Sequence, residues 1–173
     1  MTEEPPAPDS PPKRGWMFAT GWALLLLILT LVFNGFLRDR QNPNRLSVLQ
    51  NQSGGLELRA NPNGQYFAEG RINGAAVVFL LDTGATTVAV PPHIASRAGL
   101  REGAPVPIET AAGKTTARRT HIRRLELGNF IFSDLRAVII PSEDNTVLLG
   151  MNALSELEIT QQDGKLFLQK PGI

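Results

Sequence analysis

No cysteine occurs among the 173 residues, which excludes thiolate catalysis, cysteine-based zinc sites and disulfides. Histidine is nearly as scarce. His93 and His121 are the only two, too few for a multi-histidine metal centre within one chain. Charge of one sign is also lacking: 17 Lys and Arg face 16 Asp and Glu, a net charge of +1. Bulk electrostatics therefore makes no case for nucleic acid as a partner. There is no internal repeat, and no Gly-x-Ser-x-Gly elbow exposes a serine nucleophile. Carboxylates are what remains for chemistry, with no metal and no cofactor expected.

The first forty residues are a different material from the rest. Met1 to Pro12 is rich in proline and acids and cannot bury enough apolar surface to fold, so residues 1–15 read as a disordered tail. From Trp16 to Leu37 there is no charged residue, and Leu24 to Leu29 is wholly aliphatic. As a helix these residues would extend roughly 33 Å, enough for a bilayer core. Trp16 and Trp22 sit towards one end, and Lys13, Arg14, Arg38 and Arg40 bracket the run as interfacial anchors would. A cleaved signal peptide would show a shorter apolar core and a small-residue cleavage site, and a buried soluble helix would show a polar face. The expectation is a single transmembrane helix over 16–37. Flanking positive charges are balanced, with Lys13 and Arg14 on one side and Arg38, Arg40 and Arg45 on the other, so charge does not orient it.

Residues 38–55 are polar and read as a linker. From 56 to 173 short apolar stretches alternate with turn signals, which predicts one compact all-β domain with one or two short helices. Asn61-Pro62-Asn63-Gly64 suggests a hairpin between Leu56–Arg59 and 65–72. Asn73-Gly74 predicts a type I′ turn into Ala75–Leu81, and Asp163-Gly164 a final hairpin. Strands are expected over Thr87–Val90, 125–127, 131–140 and Thr146–Leu149. Helices are expected from Pro91-Pro92 to Ala98, stopped by Gly99, and over 152–157. Val106–Thr110 and Thr115–Ile122 form the arms of a hairpin tipped by Ala111-Ala112-Gly113-Lys114. The cluster Lys114, Arg118, Arg119, Arg123 and Arg124 reads either as a solvated hairpin face or as a contact for acidic substrates or anionic lipid.

The chemistry concentrates at Asp82-Thr83-Gly84-Ala85, delivered by Val77-Val78-Phe79-Leu80-Leu81. An acid at the end of a buried strand is costly unless its charge has a task or a partner. Gly84 lets the backbone turn sharply, and the Thr83 hydroxyl can lock the turn. A bare Asp-Thr-Gly is weak evidence alone. A second segment, Val147-Leu148-Leu149-Gly150-Met151-Asn152, follows in order at a fitting separation.

With both segments, residues from about Leu58 to Gln169 resemble the single-lobed retropepsin-like aspartic proteases, in particular their membrane-anchored bacterial branch. The resemblance implies a single-lobe acid-protease barrel with Asp82 as catalytic carboxylate. Thr83, Gly84 and Ala85 would support its loop, and Leu148, Leu149 and Gly150 would form the second motif. Thr110, Ala111, Ala112 and Gly113 would form a flap over the substrate. Retroviral members carry an Asp–Arg pair at the places of Thr86 and Met151, so contacts around the loop are expected to differ here.

Peptide hydrolysis of this type needs two carboxylates sharing one proton across a water. One chain supplies one. The implied active form is therefore a homodimer with an Asp82/Asp82 dyad, acting on protein or peptide substrates. By resemblance, its catalytic domain lies on the periplasmic side of a bacterial inner membrane. The competing expectation is an inactive peptide-binding or assembly module that keeps the fold.

Overall fold

The computed structural model describes residues 14–44, 49–50, 55–110 and 113–172. The chain divides into two compact units, residues 1–38 and 39–173. Helix α1 (Arg14–Gln41) takes in the whole uncharged run. Its side chains are described over residues 19–32, and all of them are exposed. Among the described residues no helix is long and apolar enough to cross a membrane.

The second unit begins with β1 (Leu49–Gln50), β2 (Leu56–Arg59), β3 (Phe67–Ile72), β4 (Ala75–Leu81) and β5 (Val88–Val90). A short helix α2 (Pro92–Arg97) follows, then β6 (Pro105–Thr110), β7 (Gly113–Leu127), β8 (Phe130–Ile139) and β9 (Thr146–Leu149). Helix α3 (Met151–Leu154) leads into β10 (Glu158–Gln162) and β11 (Lys165–Gln169). One sheet has the order β3-β4-β9-β5-β8-β7-β6, and a further β3–β7 pairing closes its first six strands into a barrel. The smaller sheet runs β1-β2-β11-β10.

Sequence chemistry explains the closures. Asn73 and Gly74 both take positive φ, 48° and 88°, as a type I′ turn between β3 and β4 requires. Asp163 and Gly164 do the same between β10 and β11. Alternation sends Val77 and Phe79 of β4 inward to meet Ile72, Leu125, Phe130 and Leu149 in one continuous core. Gly70 sits where β3 is wedged between β4 and β7. A Cβ there would strike the Glu126 carbonyl and the Phe79 ring, so closure at this point needs glycine. The buried core runs from Leu56 to Leu168, wholly inside this unit, which therefore carries what it needs to fold alone.

Four local expectations are corrected. Residues 125–127 do not form a separate strand but continue β7, whose pairing with β8 runs from Arg118 to Leu127. Arg123 and Arg124 are both exposed, a break in alternation that leaves Arg123 out of the ladder without shifting its register, since Ile122–Leu135 and Arg124–Ser133 pair on either side, and Asp134 across from it takes φ 56°. The hairpin before β3 is shorter than expected: the Ala60–Tyr66 bridge and the Asn61 amide's bond to the Gln65 carbonyl at 2.8 Å join its arms, and beyond them β2 pairs with β11 and β3 with β4. Helix α3 stops at Leu154, short of 157.

The fourth correction concerns residues 38–55. Part of this stretch is built into the second unit. β1 pairs with β2 through Leu49–Glu57 and Gln50–Leu56. Asn44 is only 3% exposed, and its Oδ1 accepts from the Arg59 amide at 2.8 Å. Its Nδ2 donates to the carbonyls of Arg59 and Phe67, both at 2.9 Å. The carboxamide thus stands in for a strand residue on the edge of β2 and ties it to β3. Asn44→Leu should cost about 2–3 kcal/mol, because it strands a buried backbone amide and two carbonyls. A lowered denaturant midpoint at unchanged slope is the expected reading. An unchanged midpoint would contradict the clamp.

Candidate active site

β4 and β9 run parallel and side by side, with Leu80 opposite Leu148 and Leu81 opposite Leu149. This pairing brings the two sequence motifs together at the strands' ends. Asp82 leaves β4 still held by the sheet, its amide donating to the Leu149 carbonyl at 3.1 Å. The chain then turns tightly. The Ala85 amide donates to the Asp82 carbonyl at 3.2 Å, and the Gly84 amide donates to Asp82 Oδ1 at 2.9 Å. The carboxylate is therefore oriented by its own loop, with Oδ2 left without a partner among the described residues.

Thr83 does not lock the turn: its side chain is exposed and its hydroxyl makes no bond among the described residues. The turn is locked instead by the Asp82 carboxylate and by backbone bonds, which do so without the hydroxyl.

Gly150 and α3 buttress the loop from behind. The Met151 amide donates to the Ala85 carbonyl at 2.8 Å, and the Asn152 amide to the Thr86 carbonyl at 3.2 Å. Asn152 does more through its side chain: Oδ1 accepts from the Val88 amide at 3.0 Å, and Nδ2 donates to the Arg136 carbonyl at 2.7 Å. One residue thus fastens the loop to α3, β5 and β8. Sequence reasoning passed over it, although an Asn two residues after Leu-Leu-Gly, with an amide that can donate and accept, was a signal that could have been used. At the two places where an ion pair was weighed, Thr86 is bonded through its carbonyl and Met151 is 37% exposed.

The remaining expected residues are placed as follows. Leu149 is fully buried under the loop and Leu148 partly so. Thr110 and Gly113 face each other at the end of the β6–β7 hairpin, where Thr110 Oγ1 donates to the Gly113 carbonyl at 2.9 Å. Ala111 and Ala112 lie outside the described residues. His93 is bonded to Asn145 at 3.0 Å, and His121 is on β7, neither at the loop. Among the described residues no carboxylate other than Asp82 bonds to residues 82–87. Among the described residues no group of three or more His, Asp or Glu is placed to hold a metal ion. A groove of about 550 Å³ lies elsewhere, between β3, β4 and α2, lined by Glu69, Arg71 and Arg97 among others but not by the loop.

The arrangement is a single oriented carboxylate at the mouth of a closed barrel, with one oxygen free to take or give a proton. The family model for gag-polyprotein putative aspartyl proteases matches residues 68–156, which spans β4, the loop, β9 and α3. Among solved structures, a retropepsin-like aspartic protease from Rickettsia conorii is similar, with a TM-score of 0.58 and 21% identity over 66% of this chain and 89% of that one. At that identity the likeness shows the fold. No match was found among curated protein sequences. With its barrel, its Asp-Thr-Gly loop and a matching family model over half its length, the chain belongs to the family of gag-polyprotein putative aspartyl proteases, of retropepsin-like fold.

Proposed function

We propose that this protein is a membrane-anchored, homodimeric aspartic endopeptidase whose active site is completed by Asp82 of a second copy. The observation that carries the reading is the lone Asp82 carboxylate, pre-oriented by Gly84 yet without a carboxylate partner among the described residues of its own chain. Across a two-fold axis, two such groups share one proton around a water. The ionised member takes a proton from that water as its oxygen attacks the scissile carbonyl carbon. The protonated member gives its proton to the carbonyl oxygen, forming a neutral gem-diol. As the diol collapses, the now-ionised member takes a proton from one diol hydroxyl, the C–N bond breaks, and the protonated member gives its proton to the leaving nitrogen. The exposed Thr83 hydroxyl is available to bond across the axis, and the β6–β7 hairpin to close over the substrate as a flap.

Helix α1 is the proposed anchor. Its described large apolar side chains are exposed, from 49% at Ile28 to 65% at Trp22 and Val32, and the Thr30 hydroxyl is satisfied by the Leu26 carbonyl. Such a surface needs lipid or protein around it. The proposed location is a bacterial inner membrane with the catalytic unit on the periplasmic side, following the family resemblance.

The test uses the unit from Asn42 onward with a library of unstructured peptides. Specific activity should rise with protein concentration and level off as the dimer saturates, in step with dimer mass by sedimentation. A strictly monomeric active species would overturn the proposal. A dimer that binds peptides without cutting them at any pH would establish a binding module instead.

A further inference from the structure

β7 and β8 present a row of basic residues on the outside of the barrel. Arg119, His121 and Arg123 alternate with the inward residues of β7, and Arg136 lies directly across from His121 on β8. All four are exposed. Successive outward residues on a strand are about 7 Å apart, so the β7 row extends about 13 Å. Among the described residues Arg119, Arg123 and Arg136 make no ion pair, whereas nearby Arg118 and Arg124 are matched by Glu102 and Glu126. Asp134 also points outward at the end of the row and pairs with none of them.

Like charges set opposite each other across a ladder are unfavourable, and a strand surface is more stable with mixed signs. Arg136 lies diagonal to both Arg119 and Arg123 across the ladder, a local cost that the fold does not need. The row lines no part of the groove and has no exposed apolar side chain among its members, so nothing there shapes a pocket for one particular anionic group. A flat array of fixed cations without a pocket matches a diffuse, multivalent anionic surface.

We infer that the β7–β8 cationic row docks the catalytic unit on the anionic headgroups of a lipid bilayer. The inference rests on the membrane-anchored reading, since a bilayer carried by the same chain is the anionic surface at highest effective concentration.

The test is flotation of the unit from Asn42 onward with vesicles of phosphatidylcholine alone or mixed with phosphatidylserine. Binding is expected only to the mixed vesicles and should fall as salt rises. Arg119→Gln, Arg123→Gln and Arg136→Gln should each weaken it about fivefold, and together about 100-fold. All three side chains are solvent-exposed, and unchanged cleavage of a soluble peptide would show the triple variant folded. Equal binding to both vesicle types, an unaffected triple variant, or binding to polyglutamate in solution but not to the mixed vesicles would each overturn the inference. The anchor is judged separately, by whether the full chain carrying the three substitutions resists alkaline extraction from membranes. Loss of retention there would count against α1, not against the row.

Discussion

Asp82→Asn should lower peptide hydrolysis by about 10³- to 10⁴-fold while leaving the protein folded. The substitution removes the group that exchanges protons and keeps its shape. An asparagine Oδ1 still accepts from the Gly84 amide, which is the one side-chain bond this residue makes. The side chain is part-exposed at the mouth of the barrel, so no buried polar atom is orphaned and the melting temperature should hold. A mixing experiment then reads the geometry. If two copies complete one site, random exchange with an equal amount of the Asp82→Asn chain should reduce activity per wild-type chain to about half. Full activity in the mixture would mean that one chain suffices. Undiminished hydrolysis by the pure variant would remove Asp82 from the chemistry altogether.

This result would bear on the part of the site that was legible beforehand. Asp82, the apolar strand delivering it and the Leu148-Leu149-Gly150 segment could all be read, because each is a short run whose residue types carry their own physical meaning. The turns at Asn73-Gly74 and Asp163-Gly164 were legible for the same reason, a positive φ that few residues tolerate.

What escaped depends on long-range partners. Asn44 looks like any polar linker residue until its amide is seen on the edge of β2, fifteen positions away. Asn152 is likewise unremarkable in sequence, and its partners Val88 and Arg136 are set by how β5 and β8 are brought beside α3. The single strand β7 was divided because Arg123 and Arg124 break the two-residue period, and periodicity cannot tell a local break from an end. The β2–β3 hairpin is cut short for the converse reason. Its turn chemistry is real, with Gly64 at φ 77°, but edge pairing with β11 took β2 into another sheet.

Gly150 shows how closely the two motifs are fitted, and its replacement by alanine should have the largest effect on stability of any substitution near the loop. A Cβ at this position would lie 2.6 Å from the Thr87 carbonyl oxygen, 2.7 Å from its carbon and 2.8 Å from the Ala85 carbonyl oxygen. All three are backbone atoms of the Asp82 loop, so no side-chain rotation relieves the overlap. Nor can the loop yield freely, because the Ala85 carbonyl accepts from Met151 and the Thr86 carbonyl from Asn152. Relief must come from pushing residues 85–87 off α3, at a cost of about 3 kcal/mol and a fall in melting temperature of about 10 °C. The same displacement is carried through the turn to Asp82, three residues before Ala85 and bonded to it through the Ala85 amide. A shift of about 1 Å in a catalytic group costs on the order of 10²-fold, so the surviving folded fraction should also be slow. Measuring the turnover of that fraction at low temperature separates the two effects. If Gly150→Ala melts within a degree or two of the parent, or is fully active once folded, the contact between the motifs is looser than these distances state.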